Sequence, residues 1–300
     1  MTKTVALLTP SHRGDLARFA LLCESVDAHV RGYTHHYVIV NDDDLPAFAP
    51  FASDRRILLP ASRFLPSWLR LVPPALTRNG RRVWWSFRTG PVHGWHIQQL
   101  LKIGGVLELP EERFCIVDSD NVFFRPFDAA AYAGGERTPL YFEPKAIRED
   151  APLHGVWTRN CDMLLGFREA TEFPADDYIG NVIAWDKQTL IAMTRRIETA
   201  TRKSWRHALC RTRAFSEYLL YGNFVRRSAQ QLAAHEKVTQ SLACAYWDAA
   251  PLDAADLKAM LDAAPAREVA ICVASFSNTP LAMIRSAVGL GEAPEHLRAA

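Results

Sequence analysis

Three hundred residues are enough for one large domain or two closely joined ones. With 49% hydrophobic and 23% charged side chains, 15 Gly and 18 Pro, the chain is neither disordered, collagen-like nor of low complexity. The 35 basic and 33 acidic side chains leave a formal charge of only +2, so nothing in the total argues for general affinity toward nucleic acid or membranes, and any electrostatic argument must be local.

From the N-terminus, Thr4 to Thr9 is a short apolar run stopped by Pro10. It is too short for a signal-peptide core, and no later window approaches the roughly 18 apolar residues of a membrane span, so the expected compartment is the cytoplasm. Leu16, Phe19, Ala20, Cys23, Val26 and Val30 recur at helical spacing, so a strand is followed by an amphipathic helix over 15–30. Tyr37 to Val40 and Ile57 to Leu59 read as strands closed by Asn41-Asp42-Asp43-Asp44 and Pro60. After a passage rich in Pro and Arg, a helix is predicted over 95–103 and a buried strand over 114–117, ending in Asp118-Ser119-Asp120. Further on, strands are expected over 140–142, 182–185 and 269–274, with helices over 186–200, 216–224 and 280–288. This alternation predicts an α/β fold with a mixed sheet flanked by helices and a less regular C-terminal half. Residues 1–128 form the expected nucleotide-binding half and 129–300 a less regular, sheet-completing half of one continuous domain. Six cysteines without a CxxC pair read as reduced thiols, Cys115 and Cys272 among them buried.

In open α/β sheets ligands sit beyond the carboxyl ends of the strands. Three such ends here are polar: Thr9 to Arg13, Asn41 to Asp44 and Asp118 to Asn121. Positions two apart on an extended chain project to the same side, so Asp118 and Asp120 face one point. A carboxylate pair beside a core calls for a cation, and hard oxygen ligands suit Mg²⁺ or Mn²⁺. For each strand end taken alone, an ordinary turn is the competing explanation.

The segments KTVALLTPSH, YVIVNDDD and FCIVDSDNVFF, with the intervening GWHIQQLLKI, resemble the GT-A fold of glycosyltransferases, a Rossmann-type sheet. DSDNVF together with FSEYLLYGNF is similar to a bacterial family of glycosyltransferase-like proteins, over roughly residues 3–225. The resemblance implies a UDP- or GDP-linked sugar donor whose diphosphate is held through a metal on Asp118 and Asp120. It also implies that Thr9, Ser11, Arg13 and Asp42 lie near the base and ribose, and that a saccharide or lipid-linked acceptor, bound by the 129–300 half, receives the sugar.

Lys102 shares a helical face with Gln98 and Gln99, which suits contact with the donor's phosphates or sugar; a lysine favoured by the helix C-terminus is the alternative. An inverting transfer needs a general base. Glu217, opening a helix that Ser216 can cap, is the first candidate, with an acid that merely complements the helix dipole as the alternative. Asp177, beside Asp176, is the second. For a third metal ligand His235 reads as a surface residue, Ser275 to Asn278 offers oxygens, and His12, His93, His96 and His154 lack ligand spacing. Between Asp54 and Gly90, eight arginines face a single acid, giving a local excess of seven positive charges with Trp68, Trp84 and Trp85 interleaved. The 55–88 stretch therefore suits peripheral contact with anionic lipid, an acidic acceptor or a donor-covering loop, against a solvated loop whose tryptophans pack inward; nucleic acid has no other support. Two other functions fit the same residues. Asp118 to Val122 matches the DxDx[TV] pattern of haloacid-dehalogenase-type phosphatases, with Asp118 as nucleophile, and a non-catalytic nucleotide-sugar binder would retain the fold.

Overall fold

The computed structural model describes residues 2–77 and 82–291. Its central sheet contains β1 (Val5–Pro10), β2 (His36–Val40), β3 (Arg56–Pro60), β4 (Arg113–Ile116) and β5 (Ile183–Asp186), in the order β5-β4-β1-β2-β3. The first four run parallel, with Leu7 opposite His36, Val5 opposite Arg113 and His36 opposite Arg56; β5 closes one edge antiparallel to β4. Strands covered on both faces read as unbroken apolar runs rather than as alternations, and β1, β2 and β4 are buried throughout.

Alternate residues feed two cores. Val5, Leu7, Val38, Val40 and Cys115 meet Phe19, Leu22, Cys23 and Val26 of helix α1 (Leu16–His29). Ala6, Leu8, Ile39, Phe114 and Ile116 meet Ile97, Leu100, Leu101 and Ile103 of helix α2 (Gly94–Glu108). A Cβ on Gly105 would stand 3.0 Å from Leu8 Cδ2 and Ile39 Cδ1, so the absence of a side chain is what lets α2 lie this close to the sheet. Helices α3 (His154–Leu165), α4 (Lys187–Thr201) and α5 (Glu217–Arg226) extend the α2-side core.

The halves drawn at 128 interlock. β5 pairs with β4, and strand Ala270–Val273 pairs antiparallel with Asn121–Phe123 in a second, three-stranded sheet. The six cysteines are free, five of them buried. Among the described residues no helix is long and apolar enough to cross a membrane.

Candidate functional site

The chain leaves β1 for β2 and β3 on one side, then returns to β4 on the other. Loops following β1 and β4 therefore diverge, and the crevice between them is where an open sheet offers a ligand space. Ser11 after β1 and Ser119 after β4 close its floor with a hydrogen bond of 2.8 Å. Asp118 and Asp120 flank Ser119, and the Asn121 amide donates to the Asp118 carbonyl at 3.0 Å and to Asp120 Oδ1 at 3.4 Å. Burial, reinforced by the Asp118 charge, pushes the Asp120 carboxyl up to about 6.

Behind Asp118 stands a buried polar cluster. The Lys102 ammonium donates to Asp118 Oδ2 at 3.0 Å, Glu217 Oε1 at 2.9 Å and the Tyr218 hydroxyl at 3.1 Å, which uses its three N–H groups. Burial opposes its charge, but the Asp118 and Glu217 carboxylates outweigh it and hold the lysine pKa well above its ordinary value. Side-chain exposure is 4% at Lys102 and Glu217 and 28% at Asp118, so Asp118 is the open end of the cluster. Gln99 Oε1 accepts from the Glu217 amide at 3.0 Å. The first turn of α5 is thus satisfied by a side chain of α2, whereas Ser216 makes no capping bond.

This geometry revises five expectations. Lys102 has no N–H left for a donor phosphate, Gln99 is buried with its Oε1 on the Glu217 amide rather than facing the donor, and Glu217 lies behind Lys102 rather than open to an acceptor; Lys102 and Glu217 position Asp118 instead. Thr9 is fully buried and bonds His36 Nε2 at 2.9 Å. Because Arg56 Nε donates to His36 Nδ1 at 3.2 Å, that imidazole is the Nε2–H tautomer donating to Thr9, inside a network that ends at Asp27. His235 is buried, with Nδ1 donating to the Gln231 carbonyl at 2.7 Å and Nε2 accepting from Tyr221 at 2.8 Å.

The remaining residues from the first two strand ends surround the crevice. Asp42 accepts from the Ser62 amide at 3.0 Å and hydroxyl at 2.5 Å, on a cavity of about 390 Å³ shared with Asn41, Arg70 and Trp84. Arg13 has an exposed side chain, while its amide donates to Asp44 Oδ2 at 3.1 Å. Sequence reasoning missed the last acid of this run. Asp44 is buried and takes both arms of Arg82, one at 2.6 Å; despite burial, Arg82 and the Arg13 amide hold its carboxyl below the usual range. Arg82 and Trp84, two apart on an extended segment, then line a second cavity of about 240 Å³ with Ser11, Asn41, Trp95 and Gln98. The available signal was DDD followed by an unpaired basic stretch.

Asp177 lies elsewhere. One of its oxygens takes His154 Nδ1 at 2.8 Å and the other the Ile179 amide at 2.9 Å, and the Asp177 hydrogen bond raises the His154 pKa. His154 stacks on Trp157 at 5.0 Å, and Trp157 on Trp95 at 5.1 Å, which links this pair to the cavity rim. Asp176 accepts from the Lys145 amide. Ser275 accepts from Arg18 through its carbonyl at 3.1 Å.

Among the described residues no three His, Cys, Asp or Glu side chains are grouped to hold a metal. Two features nevertheless suit a divalent ion completed by a ligand's own oxygens: the Asp120 carboxyl with its raised pKa, and Asn121 Oδ1, buried without a hydrogen-bond partner. Asp118, Asp120 and that amide oxygen would hold it.

Residues 2–290 match the model of a family of unknown function, DUF6492. No curated protein matches the chain.

Proposed function

The chain belongs to that family, and from the site we propose that it is a glycosyltransferase, moving a sugar from a UDP- or GDP-linked donor to a saccharide or lipid-linked acceptor. The observation carrying this reading is the acidic pair at the switch between β1 and β4, with one carboxylate aimed by a buried ammonium and the other short of a cation. Cleaving the bond from anomeric carbon to phosphate builds charge on the departing diphosphate. Mg²⁺ or Mn²⁺, when bound, neutralises that charge. Ser11, Asn41 and Gln98 offer hydrogen bonds to the nucleotide, and Trp84 and Trp95 offer aromatic surface. Lys102 and Glu217 act by fixing the Asp118 carboxylate, so that its orientation need not be reached during the reaction. The His154–Asp177 pair at the end of the Trp95–Trp157 stack replaces Glu217 as the base: the partly exposed His154 ring takes the acceptor hydroxyl's proton, and Asp177, with both oxygens bonded, holds that ring and raises its pKa.

Calorimetric titration of UDP and GDP, with and without Mn²⁺, tests the proposal. Metal-linked binding is expected, and Asp120→Asn or Asp118→Asn should abolish it in folded protein. Nucleotide binding indifferent to metal would overturn the metal site. Asp118-dependent release of phosphate from p-nitrophenyl phosphate would favour the phosphatase chemistry, and binding without transfer or hydrolysis would leave a nucleotide-sugar binder.

A further inference from the structure

The short strand Val83–Trp85 presents opposite faces to different surroundings. Trp84 is buried against the site, whereas Trp85 is 40% exposed and Phe87, two residues on, is 96% exposed. The two outward rings meet edge to face at 4.4 Å. Arg70 stands directly across the strand pair from Trp85. Beneath Phe87 a cavity of about 270 Å³ is lined by Arg88, Arg211 and Arg213, with no carboxylate in its wall. All three arginines are exposed and none is in an ion pair among the described residues; Arg88 lies at the outer edge of the Trp68 ring, 5.9 Å from its centroid. Lys203 adds to the basic surroundings, since Arg211 and Lys203 both depress the His207 pKa beyond the effect of burial.

Only part of the basic stretch expected at 55–88 is available for such a surface. Arg56 is paired with Asp27, Arg82 with Asp44, and Arg55 lies 4.0 Å over the Tyr33 ring. Arg78 and Arg81 fall outside the described residues. In their place the fold brings in Arg211 and Arg213, distant in sequence, from the end of helix Trp205–Arg211.

We propose that this face docks on an anionic lipid bilayer, with Phe87 and Trp85 entering the interface and Arg88, Arg211 and Arg213 taking lipid phosphates. Charge complementarity decides the occupant. An exposed aromatic pair with no hydrogen bond between its rings gains by leaving water, and guanidinia grouped without acids gain from a surface that supplies phosphates in a plane. The same segment carries Arg82 and Trp84 to the candidate site and leads into α2, so docking would set the mouth of the crevice near the membrane. The docking does not depend on the transfer reaction: vesicle binding and nucleotide binding can each fail while the other stands.

The test is co-sedimentation of the full chain with vesicles of phosphatidylcholine alone and of phosphatidylcholine mixed with phosphatidylglycerol. Binding is expected only to the mixed vesicles and should fall as salt is raised. Arg211→Ala with Arg213→Ala should weaken partitioning about thirtyfold, and Trp85→Ala with Phe87→Ala about tenfold. Arg267→Ala, outside the patch, controls for general charge. Equal binding to neutral vesicles, equal loss in Arg267→Ala, or arginine variants of unchanged melting temperature and unchanged partitioning would overturn the proposal. So would inorganic pyrophosphate binding the cavity of a chain that ignores mixed vesicles.

Discussion

At the scale of single residues, the Asp120 carboxyl shows the tension between stability and the proposed chemistry. Its folded pKa, about 6, lies above the ordinary carboxyl value, so the native state holds a proton that the unfolded chain has released. That proton's stabilisation is complete below about pH 4 and is lost as pH rises through about 6. Asp120→Asn should therefore raise stability at pH 7, by at most about 3 kcal/mol for a shift of this size, and match wild type near pH 4. Urea unfolding at the two pH values measures this, and a variant less stable at pH 7 would contradict the geometry. Lys102 is the opposite case. Lys102→Met leaves the Asp118 and Glu217 carboxylates without their shared cation and should destabilise by about 3–5 kcal/mol; adding Glu217→Gln should recover part of the loss.

At the scale of elements, α5 is placed by its neighbours rather than by its own start signal. A Cβ on Gly222 would lie 2.0 Å from Tyr178 Cγ, so the helix packs with its backbone against that ring. Gly222→Ala must move either α5 or Tyr178, and overpacking of this kind destabilises by about 3 kcal/mol. Because Glu217 opens the same helix, the variant should also lose metal-linked nucleotide binding, which calorimetry would detect. Loss of stability with binding intact would show that the start of α5 is held independently. Gln99→Ala, which removes the bond to the Glu217 amide, should cost about 1 kcal/mol in a urea titration. The elements themselves were legible, since α1, α2, β2 and β4 fall within a few residues of their expected ranges. Their ends were less so. Ser216 has the chemistry of a helix cap, but Gln99 on a different helix makes the bond.

For the whole molecule, acid should be more damaging than a balanced net charge suggests. Burial lowers the pKa of His36 well below its ordinary value, with Arg56 adding to the effect, and lowers His96 and His235 to about 4. The unfolded chain binds protons at these positions from its ordinary histidine pKa downward, so their stability is present above that pKa and lost as pH falls toward 4. Asp120 acts in the other direction. Counting the four groups at pH 5, unfolding should take up about two protons net. Urea midpoints should accordingly fall between pH 7 and pH 5, and His235→Gln should reduce the slope; midpoints that do not change across this range would show these imidazoles to be charged in the fold.

The sequence alone determined the buried strands, the helices between them and the acidic ending of β4, because these depend on local apolar periodicity and on what stops a run. It singled out Asp118, Asp120, Lys102, Gln99 and Glu217, residues as far apart as Gln99 and Glu217 that the fold does bring together. Their division of labour was decided only by tertiary structure. Whether a lysine meets a ligand or a carboxylate, and whether Thr9 faces the crevice or His36, depends on which side of the sheet a side chain enters and what comes from the opposite element. Arg211 and Arg213 joining Phe87 is a decision of the same kind: charge patterning along the chain carries no term for two loops meeting in space.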